Sequence, residues 1–436
     1  MARHRLYVTT ASLLGAAALV LTACGTDSQS GGTGSGGNSS KTASIQIWEG
    51  YTGPEAKAFA KLISQYEKQN PGDKVSSLYV NNDDSLQKVT TAVQGGSPPD
   101  IAYLYGSWAP NVATIPKVVD LTQVVKQSSV NWDDFYVGER DVATVNGEVI
   151  GIPALVDNLA VVYNKQLFAA AHLPVPSPAW TWSQFVSDAQ KLTDASKKQF
   201  GTAYVTPGTE DTVWHWEALL WEAGGQLLTP DNKQAAFNSM AGLTSLTTLQ
   251  DLATAKSVYL DPTDQEYANL FNSGKIGMLV TGPWDLASFT NVKYGVQIMP
   301  SYPGASGGHQ TISGPDNWVI FDNSSAKTAA AEKFLLWLTA PAQVKSFSEA
   351  TGDLPTRASV ANSAGFTDKM DATLPGVSTF IANLSNVKQA RPQIIQYPKI
   401  STILGNMVNS VLLGKAQPPT ALNLAAKQVN QVLAGS

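Results

Sequence analysis

One cysteine, Cys24, is all that 436 residues contain. No internal disulfide can staple the fold, and no thiol pair can hold a metal or run redox exchange. Charge is also scarce: Asp, Glu, Lys and Arg make up 14% of the chain, and the net charge is −5. Without a basic surplus there is little to neutralise a phosphate backbone, which argues against nucleic acid as a partner. The four histidines, His4, His172, His215 and His309, are scattered rather than spaced as ligands, and neither HExxH nor a P-loop occurs, so no metal and no cofactor is expected. What the chain does have is an ordinary hydrophobic content of 43% and 11 tryptophans. At roughly 100–200 residues per domain, this length implies two or three folding units.

Order is expected from Ser44 onward. Ile45, Ile47 and the neighbouring Trp48 read as a short strand. A helix follows, with Pro54 in its first turn, Phe59, Leu62, Ile63 and Tyr66 on one face, and Asn70-Pro71-Gly72 as its stop. Val75 to Val80 reads as a strand, Asp84 to Gln94 as a helix closed by Gly95-Gly96, and Ile101 to Leu104 as a third strand. Strand–helix–strand–helix–strand at this spacing implies a parallel, doubly wound sheet, which binds ligands at the carboxyl ends of its strands. Val142 to Ile152, with Asn146-Gly147 at its tip, reads as a hairpin. Thr181-Trp182-Ser183-Gln184 is a capping box, and Trp216 to Gly225 reads as a further helix.

Those strand ends carry Trp48, Glu49 and Tyr51, then Asn81, Asn82 and Asp83, then Tyr105, Ser107 and Trp108. Aromatic, amide and carboxylate groups on one rim suit a sugar, whose C–H faces stack on rings and whose hydroxyls pair with planar polar groups. A stacked face burying about 60 Å² contributes roughly 1.5 kcal/mol.

The amino end reads as a processing segment. Arg3, His4 and Arg5 precede a short apolar run, Leu13 to Leu21, and Leu21-Thr22-Ala23-Cys24 resembles a bacterial lipobox. A signal peptide over 1–23, lipid attachment at Cys24 and a Gly/Ser-rich tether over 24–43 are therefore expected, which places the protein on the extracytoplasmic face of a membrane. Gly32-x-Gly34-x-x-Gly37 falls in this tether with no strand before it, so it is not a dinucleotide fingerprint.

From about residue 44 to the end, the chain resembles the family 1 extracellular solute-binding proteins of ABC transporters. The resemblance rests on Gly151 to Lys165, Phe271 to Met278 leading to Thr281-Gly282-Pro283-Trp284, Gly352-Asp353-Leu354-Pro355-Thr356-Arg357, and the closing stretch Pro418 to Leu433. It implies an α/β, two-lobed periplasmic-binding-protein fold (type II), each lobe a doubly wound sheet flanked by helices, joined by crossing hinge strands. The lobes would take 44–156 with 316–362, and 157–315 with 363–436, with crossings near Asp157, Ser313 to Trp318 and Ala361 to Phe366. It further implies a monomer that binds carbohydrate and delivers it to permease subunits.

By the same resemblance Trp284 stacks on sugar and Asp157 contacts ligand; the alternatives are a core indole and a hinge hydrogen bond. Trp214 aligns with the cleft, while Trp216 packs. Trp48, Glu49, Trp108 and Asn317 are further candidates, each of which could equally serve packing. Tyr397 sits where relatives place a cleft aromatic, but Pro398 stands where the maltose-binding members carry a stacking tryptophan, which counts against maltodextrin itself. Two enzyme readings are weaker. Gly304-Ala305-Ser306-Gly307-Gly308 fits a nucleophile elbow in letters, but an extended stretch follows it where a helix is needed. A glycosidase would need two carboxylates across a cleft, with Glu49 and Asp157 as the pair. The same scaffold could also carry another cargo, such as a glycerophosphodiester or a polyamine.

Overall fold

The structure, a computed structural model, describes residues 44–263, 266–305 and 308–435. The expected signal segment, Cys24, the tether and Ser306 lie outside them.

Strand β1 (Ser44–Glu49) alternates Ile45, Ile47 and Glu49 inward against Gln46 on the solvent side. Helix α1 (Gly53–Gln69) has proline in its first turn and buries Ala58, Phe59, Leu62 and Tyr66; Ile63 is only partly covered. Strand β2 (Lys74–Tyr79) leads to α2 (Asn82–Gln94). This helix starts two residues earlier than periodicity suggests, because the Asn81 side chain caps it by accepting from the Asp83 amide at 3.0 Å. Strand β3 (Ile101–Tyr105) is buried along almost its whole length, as a central strand must be.

The polypeptide then runs through short helical turns to a hairpin at Thr144–Val145 and Glu148–Val149. Asn146 and Gly147 both take positive φ (53° and 87°), as a two-residue turn between twisted strands requires. The expected strand from Val142 shrinks because Val137–Val142 is helical. Strand β4 (Ile152–Leu155) returns to the first sheet, and β5 (Ala160–Asn164) belongs to a second. Helix α3 (Trp182–Leu192) carries the capping box as expected.

Strands β6 (Thr202–Val205) and β7 (Val258–Asp261) form a parallel pair, connected through α4 (Glu210–Glu222) and α5 (Met240–Thr254). Strands β8 (Met278–Thr281) and β9 (Tyr294–Gln297) flank β5 antiparallel on either side. Strand β10 (Asp316–Ile320) then re-enters the first sheet, whose five strands run in the order β2-β1-β3-β10-β4. Its β1, β2 and β3 are parallel, whereas β10 runs antiparallel to β3 and β4. Helix α6 (Ser325–Leu338) covers this sheet and α7 (Pro341–Thr351) packs on α1; α8 (Tyr397–Leu412) packs on α4 and α5, and α9 (Pro418–Ala434) on α5 and α8.

The first sheet is thus doubly wound with antiparallel additions. The second half differs from that pattern, combining a three-stranded antiparallel sheet with a parallel pair. The chain passes from the first sheet to the second between Leu155 and Ala160, and the described residues 310–315 lead back into the first sheet. The two passages touch: Asn158 bridges Ser313, and the Gly314 amide donates to the Asp157 carbonyl at 3.0 Å.

Candidate ligand-binding site

A cavity of about 420 Å³ opens where the carboxyl ends of β1, β2 and β3 face the start of α4, the short helix Tyr267–Asn272 and the turn after β8. Tyr51, Tyr79, Tyr103 and Tyr105 line it from the first sheet; Trp214, Tyr267 and Trp284 line it from the second half. Tyr51 and Tyr103 are pinned from behind by edge-on contacts to Trp318, at 6.1 and 5.4 Å between centroids. Such contacts are worth about 0.5–1.5 kcal/mol each beyond burial.

Trp214 and Trp284 form the aromatic wall, with centroids 5.7 Å apart and ring planes inclined at 37°. Two glycines make this arrangement possible. A Cβ on Gly282 would stand 1.8 Å from the Trp284 ring, so only glycine lets that indole fold back over its own turn. A Cβ on Gly314 would meet the Trp214 ring at 3.3 Å. The Trp214 Nε1–H is buried and has no acceptor.

Carboxyl groups dominate the polar lining: Glu55, Asp83, Asp157, Glu210, Asp211, Asp285 and Asp316, against Arg391 as the one cation of the lining. They divide by partnership. Glu210 is saturated: its Oε1 takes the Arg391 guanidinium at 2.7 Å and the Tyr397 hydroxyl at 3.0 Å, and Oε2 accepts from Ser401. Asp316 accepts from the Tyr103 hydroxyl at 2.5 Å and the Gly106 amide at 3.1 Å; burial still pushes its pKa up to about 6. Asp83 accepts from Tyr105 of its own sheet at 3.0 Å, and across the cavity from Thr209 and, at 3.4 Å, from the Asp211 amide. Burial and the nearby Asp211 raise it to about 7.

Asp211 has its Oδ2 buried without a partner, and Asp157 shares that feature at deeper burial. One oxygen accepts from the Leu354 amide at 3.2 Å, and the other, Oδ2, is buried without a partner. Burial and the neighbouring Asp353 hold its carboxyl well above the usual range. Asp285 accepts from Thr281 at 2.6 Å, and burial lifts it to about 6. Glu55 is raised by burial and by Asp353, Asp157 and Asp285 around it.

Of the residues expected from sequence, Asp157, Trp214 and Trp284 line the cavity, along with the rim residues Tyr51, Asn81, Asn82, Asp83 and Tyr105. The other candidates sit outside it. Trp48 lies on the opposite face of β1 from Ile47 and packs, half-buried, against the core cluster that includes Val89 and Ala102, its Nε1–H donating to Gln46 at 3.1 Å. Glu49 is buried, accepting from the Tyr51 amide at 2.6 Å and from Ser77; it holds the strand end and cannot pair with Asp157 across a cleft. Trp108 is buried against Tyr105, with centroids 4.6 Å apart. Asn317 is buried in β10 and donates to the Val142 carbonyl at 3.2 Å. Tyr397 is wholly buried and reaches the site only through Glu210 and Glu217.

Sequence reasoning missed Glu55, Glu210, Asp211, Asp285 and Arg391. Glu210 and Asp211 open α4, which was expected to start at Trp216. An acidic pair ahead of a tryptophan-rich helix is the one signal that could have located them.

The profile of the bacterial extracellular solute-binding proteins matches residues 51–345. The chain belongs to this family. A cyclic α-maltosyl-1,6-maltose binding protein from Arthrobacter globiformis is 28% identical with a TM-score of 0.71, covering 90% of this chain and 100% of that one. A solute-binding protein from Thermotoga lettingae bound with α-D-tagatose is 27% identical with a TM-score of 0.78, covering 89% and 99%. A maltooligosaccharide ABC transporter solute-binding lipoprotein of Streptococcus pneumoniae is 25% identical over 98% of both chains. As a member of this family, the chain is an extracytoplasmic solute-binding component, and its two-domain α/β architecture is the one these structures share.

Proposed function

We propose that this protein captures a sugar or short oligosaccharide in the cavity between its two halves and delivers it to an ABC permease. One observation carries the reading: an inclined Trp214–Trp284 wall faces a row of carboxylate, amide and phenol groups inside one cavity. A pyranose offers both faces that such a site requires, an apolar C–H face for the indoles and a hydroxyl edge for the polar row. The volume lies at the lower end of ligand cavities, about 300–1,000 Å³, which favours one or two rings over a long chain. The saccharides named for the relatives point the same way.

In this reading the protein is a binder, not an enzyme, and works as a monomer. Ligand gripped from both halves favours the closed arrangement in proportion to its differential affinity for it. Acylation of Cys24 would keep the protein at the extracytoplasmic membrane surface. Mass spectrometry of protein from membranes checks the lipid: an unmodified Cys24 removes the anchor. For the cargo, a thermal-shift screen over mono-, di- and trisaccharides, followed by calorimetry, is expected to give micromolar or tighter binding to at least one member without turnover. Indifference to every saccharide, or release of a hydrolysed product, defeats the proposal.

A further inference from the structure

The cavity carries far more negative than positive charge. Arg391 is already taken by Glu210 at 2.7 Å, and among the described residues no lysine lines the space. His215, behind Asp211 at 3.4 Å, is the nearest other basic group recorded at these carboxyls. The remaining carboxyls are not arranged for a metal: among the described residues, no three histidine, cysteine, aspartate or glutamate side chains could together hold an ion. Carboxyls and seven aromatic rings are instead interleaved around the same cavity, on both halves, which suits an organic cation.

A second observation locates it. Asp157 is 1% exposed, lines the cavity, and leaves Oδ2 with no donor. An unpaired buried carboxylate oxygen is costly, and the groups around it add to the cost instead of relieving it. Glu55 and Asp285 share the cavity wall, and Asp353, Asp316 and Glu139 lie within its electrostatic reach. A neutral hydroxyl could donate to Oδ2 but would leave the surplus charge in place.

Resting on the saccharide reading, we propose that the cargo carries a positively charged nitrogen on its hydroxyl-bearing frame. The nitrogen is held at Oδ2 of Asp157 between Glu55 and Asp285, and anionic sugars are rejected. An amine satisfies the orphan oxygen with a charge-assisted hydrogen bond and offsets the surrounding carboxylates at once. The aromatic wall holds the ring that bears it. Burial raises these carboxyls, Asp285 to about 6, so seating the cation drives protons off them and binding strengthens as pH rises from 5 to 7, where the amine stays charged.

Calorimetry with matched probes tests this: glucosamine, N-acetylglucosamine, glucose and glucose 6-phosphate, the dimers chitosan disaccharide, diacetylchitobiose and cellobiose, and spermidine. The amine member of each set is expected to bind at least tenfold more tightly than its acetylated and plain partners, and the phosphate not to bind. Heats measured in buffers of different ionisation enthalpy should show proton release for the amine alone. Asp157→Asn should bring the amine-to-neutral ratio to within about threefold; Glu55→Gln gives the same readout if that variant fails to fold. Neutral members binding as well as amines, or no amino sugar binding at all, overturns the proposal and leaves the saccharide reading standing. Spermidine bound while every saccharide is ignored overturns both.

Discussion

The two ends of the cavity are built from the same chemistry and do opposite work. At the Glu210 end, each carboxylate oxygen is met by a guanidinium or a hydroxyl, and Tyr397, Ser401 and Arg391 are themselves buried. At the Asp157 end, acids face acids, and Oδ2 of Asp157 and both oxygens of Asp353 are buried without a partner. A saturated carboxylate ties α4 to α8 and fixes the wall; an unsaturated one keeps its capacity for whatever enters. Counting acids along a cleft therefore says little about binding until the internal partners are subtracted.

The harshest way to break this contrast is to unpair the saturated end. Arg391→Met should leave Glu210 buried without its cation and cost about 3–5 kcal/mol of stability in urea unfolding. A loss under about 1 kcal/mol would mean that the pair is not structural. Next in size, Trp284→Ala removes half of the aromatic wall beside Asp285. Saccharide affinity should fall more than tenfold, about 1.4 kcal/mol, with little change in melting temperature; an unaltered dissociation constant would take that indole out of the site.

Acidity sharpens the comparison. Asp83 sits at about 7, and Asp285 and Asp316 at about 6, all raised by burial above their unfolded values near 4. Between pH 4 and these values the folded chain holds protons that the unfolded chain has shed. Their contribution is therefore fully present at low pH and is lost as pH rises through 6 to 7. The ligand-free melting temperature should rise by a few degrees from pH 8 to pH 5.5, and saccharide that neutralises the cleft should flatten the slope. The smallest effect belongs to Trp48→Phe, on the far face of β1. Affinity should stay within about twofold, and a larger change would reopen the case for Trp48 as a ligand contact.

Much of the first sheet was legible in the sequence. Ile45/Ile47 alternation, the Phe59–Leu62–Tyr66 stripe, the Asn-Gly turn and the Thr181 capping box all depend on neighbours in sequence, so local rules reach them. The same alternation already held the answer for Trp48: if Ile45 and Ile47 point inward, residue 48 cannot share their face. The first turns of α4, from Glu210 to His215, escaped because the helix is buried nearly all round, so no polar face marks its period. Arg391 escaped because it lies in an irregular stretch whose meaning comes only from Glu210, 181 positions away. Trp108 and Asn317 fall behind the lining for a related reason: strand ends next to a cleft also supply its supporting layer, and sequence does not separate lining from backing.

The start of α4 has one more implication. Thr209 offers that helix no side-chain cap of its own, and the acceptor for the Asp211 amide comes from Asp83, at the start of the facing helix α2. The helix that presents Trp214 is thus finished by a group borrowed from across the gap. Spreading the halves would hand that amide to water, so its deuterium uptake is a built-in gauge of how wide the jaws stand.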